Sequence, residues 1–205
     1  MDDLEALAFL SVGSNIEAEA NVTGAVQLLA ETPGLAVTGV STFYRTPALP
    51  YPGEDPDLPR ASQDPDFLNG VLEVRTSLPP HRLQGLLREV EGKLGRERGS
   101  HPYAPRTMDL DLLLYALPAG EAAGAHPGPR EGAWAWSPLG PGGQWEHPDV
   151  RRRSFVALPL LELAPNLLLP PDGKPLRVVA EAFPEPSGTP EGRLTAALRS
   201  RFLPP

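Results

Sequence analysis

The sequence contains no cysteine, which excludes disulfides and thiolate metal centres. Only carboxylates, histidines and ligand oxygens remain to hold a metal. No uninterrupted apolar run approaches the ~20 residues of a membrane span. The first residues, Met1-Asp2-Asp3-Leu4-Glu5, are acidic where an export signal would be basic. A soluble, cytoplasmic protein is expected. Positive charge is also scarce: 18 Lys and Arg stand against 26 Asp and Glu, a net charge of −8. That balance disfavours non-specific binding to nucleic acid or to anionic membranes and favours small ligands as partners. A Walker-type glycine loop is missing too, so any phosphate ligand would depend on metals and arginines.

Chain-breaking residues, by contrast, are plentiful. The 27 prolines and 20 glycines cluster in 47–65, 117–148 and 165–190 without a period, the mark of long loops between ordinary elements. A length of 205 residues suits one good-sized core. Ala6 to Val12 reads as a buried strand leaving through Gly13-Ser14-Asn15, whose polar side chains suit the cap of a helix carrying Val22, Ala25, Val26 and Leu29 on one stripe. Val37 to Arg45 predicts a second strand, stopped at Thr46-Pro47. The loop from Ala48 to Asp66 is longer than most structureless loops and is either a lid or a plain insertion. Phe67 to Thr76 predicts a third strand. Ser77, as cap, opens a helix with Leu83, Leu86, Leu87, Val90 and Leu94 in line, closed by Gly95. Trp134 and Trp136 alternate as in a short strand. Val156, Leu160 and Leu163 mark a short helix interrupted at Pro159, and Leu194, Leu198 and Phe202 share a face of a last helix near 191–202.

Three patterns point to chemistry. Asp109 and Asp111 enter the apolar run Met108 to Leu114, and the period of two in a strand puts both acids on one face. Like charges so close raise each other's pKa unless a cation joins them, which points to a hard divalent ion such as Mg²⁺; two solvated acids at a strand start is the competing reading. Arg96, Arg98, His101 and Arg106 concentrate positive charge just ahead of them, matching phosphate oxygens or forming a solvated basic face. Phe67 and Asn69 share a strand face, an aromatic plate beside an amide, which suits a flat, polar-edged heterocycle or plain core. The order strand, helix, strand, strand, helix, strand is that of a ferredoxin-like sheet. The fold class expected is α+β: a β-α-β-β-α-β core with an antiparallel sheet, helices packed on it and extra C-terminal elements.

From about Ala8 to Pro165 the chain resembles the 6-hydroxymethyl-7,8-dihydropterin pyrophosphokinase family. The resemblance rests on Gly13-Ser14-Asn15, Ser41 to Pro47, Phe67-Leu68-Asn69, Glu91 with Gly95-Arg96-Glu97-Arg98, Pro105 to Asp111, and His147-Pro148 with Arg153-Ser154-Phe155. It implies transfer of the pyrophosphoryl group of ATP to the pterin hydroxymethyl group in folate biosynthesis, giving AMP. It further implies two Mg²⁺ ions on Asp109 and Asp111; ATP held by Glu91, Arg96, Arg98, Arg106, His147 and Arg153; and the pterin held by Thr46, Leu49, Phe67, Asn69, Tyr103 and Phe155. Arg96 and Arg106 join the two acids as catalytic residues. Phe67 stands where the family commonly has tyrosine, and Tyr103-Ala104 where Trp-Gly is usual. The loops at 46–66 and 95–105 are expected to close over ATP. The pyrophosphokinase domain is expected over 1–183, with insertions at about 50–66 and 117–144, and a Pro-rich spacer with a helical extension over 184–205. A monomer with no partners beyond ATP and the pterin is expected. A non-catalytic nucleotide-binding module and a Mg²⁺-dependent phosphohydrolase are the alternatives.

Overall fold

The computed structural model describes residues 6–49, 64–97, 104–119, 134–183 and 188–203. Strand β1 (Ala6–Ser14) is the centre of the sheet, flanked antiparallel by β4 (Phe67–Thr76) and β5 (Asp109–Pro118). Its run from Ala6 to Leu10 is apolar because both faces are covered there: Ala6, Ala8 and Leu10, with Val12 further on, enter one core, Leu7 and Phe9 another. The first core lies beneath α1 (Ala18–Ala30) and α2 (Pro80–Lys93), whose buried residues include the expected Val22, Ala25, Val26, Leu29, Leu83, Leu87 and Val90. The second is closed by the short α3 (Asp149–Arg152), by α4 (Ser154–Leu163) and α5 (Leu176–Ala180), and by Trp134 and Trp136 of β6 (Trp134–Trp136).

A separate hairpin pairs β7 (Leu168–Leu169) with β8 (Lys174–Pro175); in the main sheet β3 (Tyr44–Thr46) and β9 (Thr189–Pro190) form one edge, the order is β6-β5-β1-β4-β3-β9, and β2 (Leu35–Val40) also pairs β4. The strand expected over Val37 to Arg45 is therefore two. β2 pairs with the far half of β4 and β3 with its first residues. Between them Ser41 still holds Val71, its N–H donating to the Val71 carbonyl at 3.0 Å and its hydroxyl accepting from the Val71 N–H at 2.8 Å, and Phe43 turns inward. The ring of Phe43 lies so close to Gly70 that a Cβ there would come within 2.8 Å of it. Gly70→Ala is expected to destabilise the protein by about 1–3 kcal/mol, the usual cost of overpacking; an unchanged urea midpoint would contradict this packing.

Other local expectations shift for identifiable reasons. Ser77 does not cap α2; Pro79 stands at the N-cap in extended backbone and Pro80 takes the first position, where the missing N–H costs nothing. Gly95 follows α2 with φ +76°, the left-handed closure expected of it. Helix α4 continues through Pro159 and stops before Pro165. The last helix, α6 (Gly192–Phe202), buries Leu198 and packs Leu194 and Phe202 against the first core. No described helix is long and apolar enough to cross a membrane.

One irregularity in β5 sets the direction of the two acids. Phe9 pairs with Leu114 but Leu10 with Leu112, leaving Leu113 as an extra residue. Leu113 and Leu114 both enter the second core, whereas Met108, Leu110 and Leu112 enter the first. The bulge absorbs one step of the alternation, so Asp109 and Asp111 face away from the α1 and α2 layer, as the period of two predicts.

Candidate active site

Across the three central strands, Asn69, Gly13 and Asp109 stand in register, one beside the next. Ser11, two residues before Gly13 and therefore on its face, pairs with Asp111. Gly13 is the floor of the site, for a Cβ there would meet the Asn69 Oδ1 at 2.7 Å and the Asp109 Cβ at 3.8 Å. The Asn69 Nδ2 donates to the Thr46 hydroxyl at 2.7 Å. That contact fixes the amide orientation and leaves its oxygen over Gly13 as an acceptor.

Asp109 is gripped from two sides: Arg96 Nη1 lies 2.5 Å from Oδ1 and Arg106 Nη1 2.6 Å from Oδ2. The same Arg96 nitrogen also pairs with Glu91. Glu91 is 3% exposed and its Oε1 accepts from the backbone N–H of Leu110 at 2.9 Å. It thus ties α2 to β5 between the two aspartates, a polar residue whose burial is satisfied by two partners. Burial first, then the charge of Asp109, push the Asp111 carboxyl above its ordinary range, while His147 pulls it back. The Asp109 and Glu91 carboxylates raise the Arg96 guanidinium against the opposing effect of burial.

The Gly13-Ser14-Asn15 corner does something other than the helix capping expected of it. The residue ahead of α1 is Glu17, with φ +44°, and no side chain caps the helix. The Ser14 hydroxyl instead donates to the Thr107 carbonyl at 2.6 Å, and Asn15 exchanges two bonds with Arg106, its N–H giving to the Arg106 carbonyl at 3.2 Å and its Oδ1 accepting from the Arg106 N–H at 2.7 Å. Asn15 Nδ2 also donates to the Pro65 carbonyl at 3.1 Å. One corner therefore holds both the segment leading into the acids and the one leading into Phe67.

Two cavities open on this arrangement. The first, about 190 Å³, is lined by Thr46, Pro47, Leu49, Phe67, Asn69 and Phe155, together with Ser11, Gly13, Arg106, Asp149 and Arg153. The second, about 460 Å³, is lined by Glu91, Arg96 and His147 with Gln84, Arg88, Leu139, Gly140 and Gln144. Asp109 and Asp111 line both. The sequence pattern thus brings together Thr46, Leu49, Phe67, Asn69 and Phe155 on one side and Glu91, Arg96 and His147 on the other. Arg106 and Arg153, expected with the second group, line the first cavity instead, Arg153 with its Nε 3.7 Å from Asp149 Oδ1. Arg98, His101 and Tyr103, and parts of the loops 46–66 and 95–105, lie outside the described residues.

Ser11, Gln84, Arg88, Gln144 and Asp149 also line the cavities but carry no role in the sequence reading. Ser11 could have been found by stepping back two residues from Gly13; Gln144, in a Gly- and Pro-rich stretch, had no such signal. His147 is brought in by its own N–H, which donates to the Leu113 carbonyl at 2.9 Å. Arg151 steadies the same segment, pairing with Glu146 and with Asp172 Oδ1 at 2.9 Å; this contact holds the Asp172 carboxyl down at about 2.

Paired oxygen ligands at a junction between a polar and an aromatic-lined cavity are suited to joining a phosphate-bearing ligand to a flat one. Comparison with known proteins leads to the same place. The family model for 7,8-dihydro-6-hydroxymethylpterin-pyrophosphokinase (HPPK) matches residues 9–165. The chain is 36% identical over 163 residues to a 2-amino-4-hydroxy-6-hydroxymethyldihydropteridine pyrophosphokinase of Methylorubrum extorquens, covering 79% of this chain and 85% of the relative. It is 34% identical over 158 residues to the protein of the same name from Bacillus subtilis, covering 77% of each. A solved structure described as HPPK-DHPS in complex with substrates superimposes with a TM-score of 0.53 at 12% identity, over 87% of this chain and 43% of that one, a likeness of fold. The matched span contains every motif around the two acids, and the chain belongs to the 7,8-dihydro-6-hydroxymethylpterin-pyrophosphokinase family.

Proposed function

We propose that the two cavities are the two substrate sites of the family's reaction, transfer of the pyrophosphoryl group of ATP to 6-hydroxymethyl-7,8-dihydropterin, and that Asp109 and Asp111 are the point where the substrates meet. The observation that carries this is that both acids line both cavities. The first cavity takes the pterin. Phe67 and Phe155 offer ring faces to a bicyclic ligand, and the Asn69 oxygen accepts from its polar edge. The second takes the triphosphate, with Arg96 and His147 at its wall.

The acid pair fits Mg²⁺ on chemical grounds: hard oxygen donors on one strand face, with Asp111 pushed upward by burial and then by its neighbour Asp109. Among the described residues no group of three His, Cys, Asp or Glu is placed to hold a metal by itself, so an ion here would rest on the two aspartates, with water and phosphate oxygens completing its shell. Bound there, Mg²⁺ supplies charge neutralisation for the triphosphate beside three carboxylates. The chain's own residues do the rest. Arg96 and Arg106 fix Asp109 from both sides, and their guanidinium groups bring positive charge to the place where charge develops as the β-phosphorus is attacked. The aromatic cavity orients the pterin so that its primary alcohol lies at the junction, converting a bimolecular encounter into an aligned one. Because one chain lines both cavities, a cytoplasmic monomer suffices for the reaction.

The test is the product of an assay with Mg²⁺, ATP and the reduced hydroxymethylpterin. AMP and a pterin diphosphate are expected. Release of ADP, or ATP turnover equally fast without the pterin, would overturn the assignment.

A further inference from the structure

The family match ends at residue 165, yet the chain's last described segment reaches back to the wall of the first cavity. We propose that residues 188–202 are a positioning element for the pterin side of the site, setting β3 and through it Thr46. β9 pairs with β3, Thr189 against Arg45 and Pro190 against Tyr44. The backbone groups of Phe43, one residue before β3, are both satisfied by this segment: its carbonyl accepts from the Glu191 N–H at 2.8 Å, and its N–H donates to the Thr195 hydroxyl at 3.0 Å. Thr195 is 3% exposed, and its hydroxyl in turn donates to the Glu191 carbonyl at 2.9 Å. The Arg45 side chain closes the arrangement from outside, paired with Glu191 and, at 2.5 Å, with Glu19 of α1.

The closest approach is at Gly188. A Cβ at this position would stand 2.0 Å from the Arg45 carbonyl oxygen and 2.9 Å from Thr46 Cγ2. The obstacle at Arg45 is backbone, which cannot swing aside, so any side chain at 188 must push β3 or lift the segment away. Thr46 is the residue at stake. It is 2% exposed, lines the first cavity, and accepts the hydrogen bond that sets the Asn69 amide. A displacement of a few tenths of an ångström at Thr46 therefore reorients the group that reads the pterin edge, while the acids and arginines, on the far side of β1 from β3, stay in place. Without the segment β3 would be an edge strand of three residues held by β4 alone, and short edge strands are weakly fixed.

This rests on the reading of the first cavity as the pterin site, and the experiment separates the two. Steady-state kinetics of the full chain with saturating ATP and Mg²⁺ should give Gly188→Ala and Thr195→Val a pterin KM raised about tenfold, with calorimetric affinity for a non-hydrolysable ATP analogue within about twofold of the parent. Thr195→Ser, which keeps the hydroxyl, should restore the parent KM. If Thr195→Val does not fold, Glu191→Gln, on the outer ion pair, should still raise the pterin KM without changing nucleotide affinity. A pterin KM unchanged in these variants, or a parallel loss of nucleotide affinity, would overturn the proposal. Asn69→Ala is the control: if it leaves the pterin KM untouched, the pocket assignment itself fails, whereas a raised KM there with none in the tail variants refutes only the positioning role.

Discussion

Asp111→Asn is expected to lower kcat by about 10³-fold, equivalent to roughly 4 kcal/mol of lost transition-state stabilisation, while leaving the fold intact or slightly more stable. The asymmetry follows from the site. Asp109 is compensated within the protein by Arg96 and Arg106. Asp111 is pushed above its ordinary range by burial and by that neighbour. A group whose folded pKa lies above its unfolded value opposes folding while it is ionised, and this opposition grows as pH rises through the unfolded pKa toward neutrality. Asparagine has the same shape and no charge, so it removes the repulsion and also the negative oxygen that a divalent ion needs. Activity and stability then move in opposite directions, as at sites where function is kept against stability. Thermal melts beside kcat and the Mg²⁺ concentration for half-activity make the comparison. Unchanged turnover would remove Asp111 from the chemistry, and a melting temperature falling with kcat would make its role structural.

The parts of this protein that were legible from sequence are those governed by short periods. Two residues per strand step were enough to place Asp109 with Asp111 and Phe67 with Asn69, and the 3.6-residue period placed Val22 to Leu29 and Leu83 to Val90. What periodicity could not reach are contacts between segments far apart in the chain. Ser14 and Asn15 look like cap residues because their side chains serve that purpose well, but their hydroxyl and amide go to residues 65, 106 and 107. Glu91 reads as a polar break beside an apolar stripe until β5 is seen to offer it an N–H. The bulge at Leu113 leaves no trace in an unbroken run of leucines, since either register buries an apolar side chain. Gly188, in a Pro-rich stretch, is indistinguishable from linker until Arg45 is placed against it. The tail's apolar face was visible as a pattern; that it docks on α1 and the first core, with Arg201 reaching Gln27 at 2.9 Å, was not.

Arg106→Ala should cost about 10²–10³ in kcat/KM, the range for removing one donor to developing charge, and Arg106→Lys should recover only a minor part. Arg106 stands where every part of the site converges. Its N–H is held by Asn15 at 2.7 Å, its Nη1 pairs with Asp109 at 2.6 Å, its Nε gives to the Ala104 carbonyl at 3.3 Å, and its guanidinium lies over the Phe67 ring at 6.0 Å from the centroid. Only a planar fork can donate to the acid and to a carbonyl behind it while presenting a face to an aromatic ring; an ammonium supplies the charge at one point and loses the rest. The defect should therefore appear with both substrates, raising the pterin KM through Phe67 and lowering kcat through the triphosphate, whereas Asn69→Ala should raise the pterin KM alone. A lysine variant of full activity would show that charge suffices and that the fork is incidental. An alanine variant impaired only toward the pterin would confine Arg106 to the first cavity and leave the bridging of the two substrates to Asp109 and Asp111.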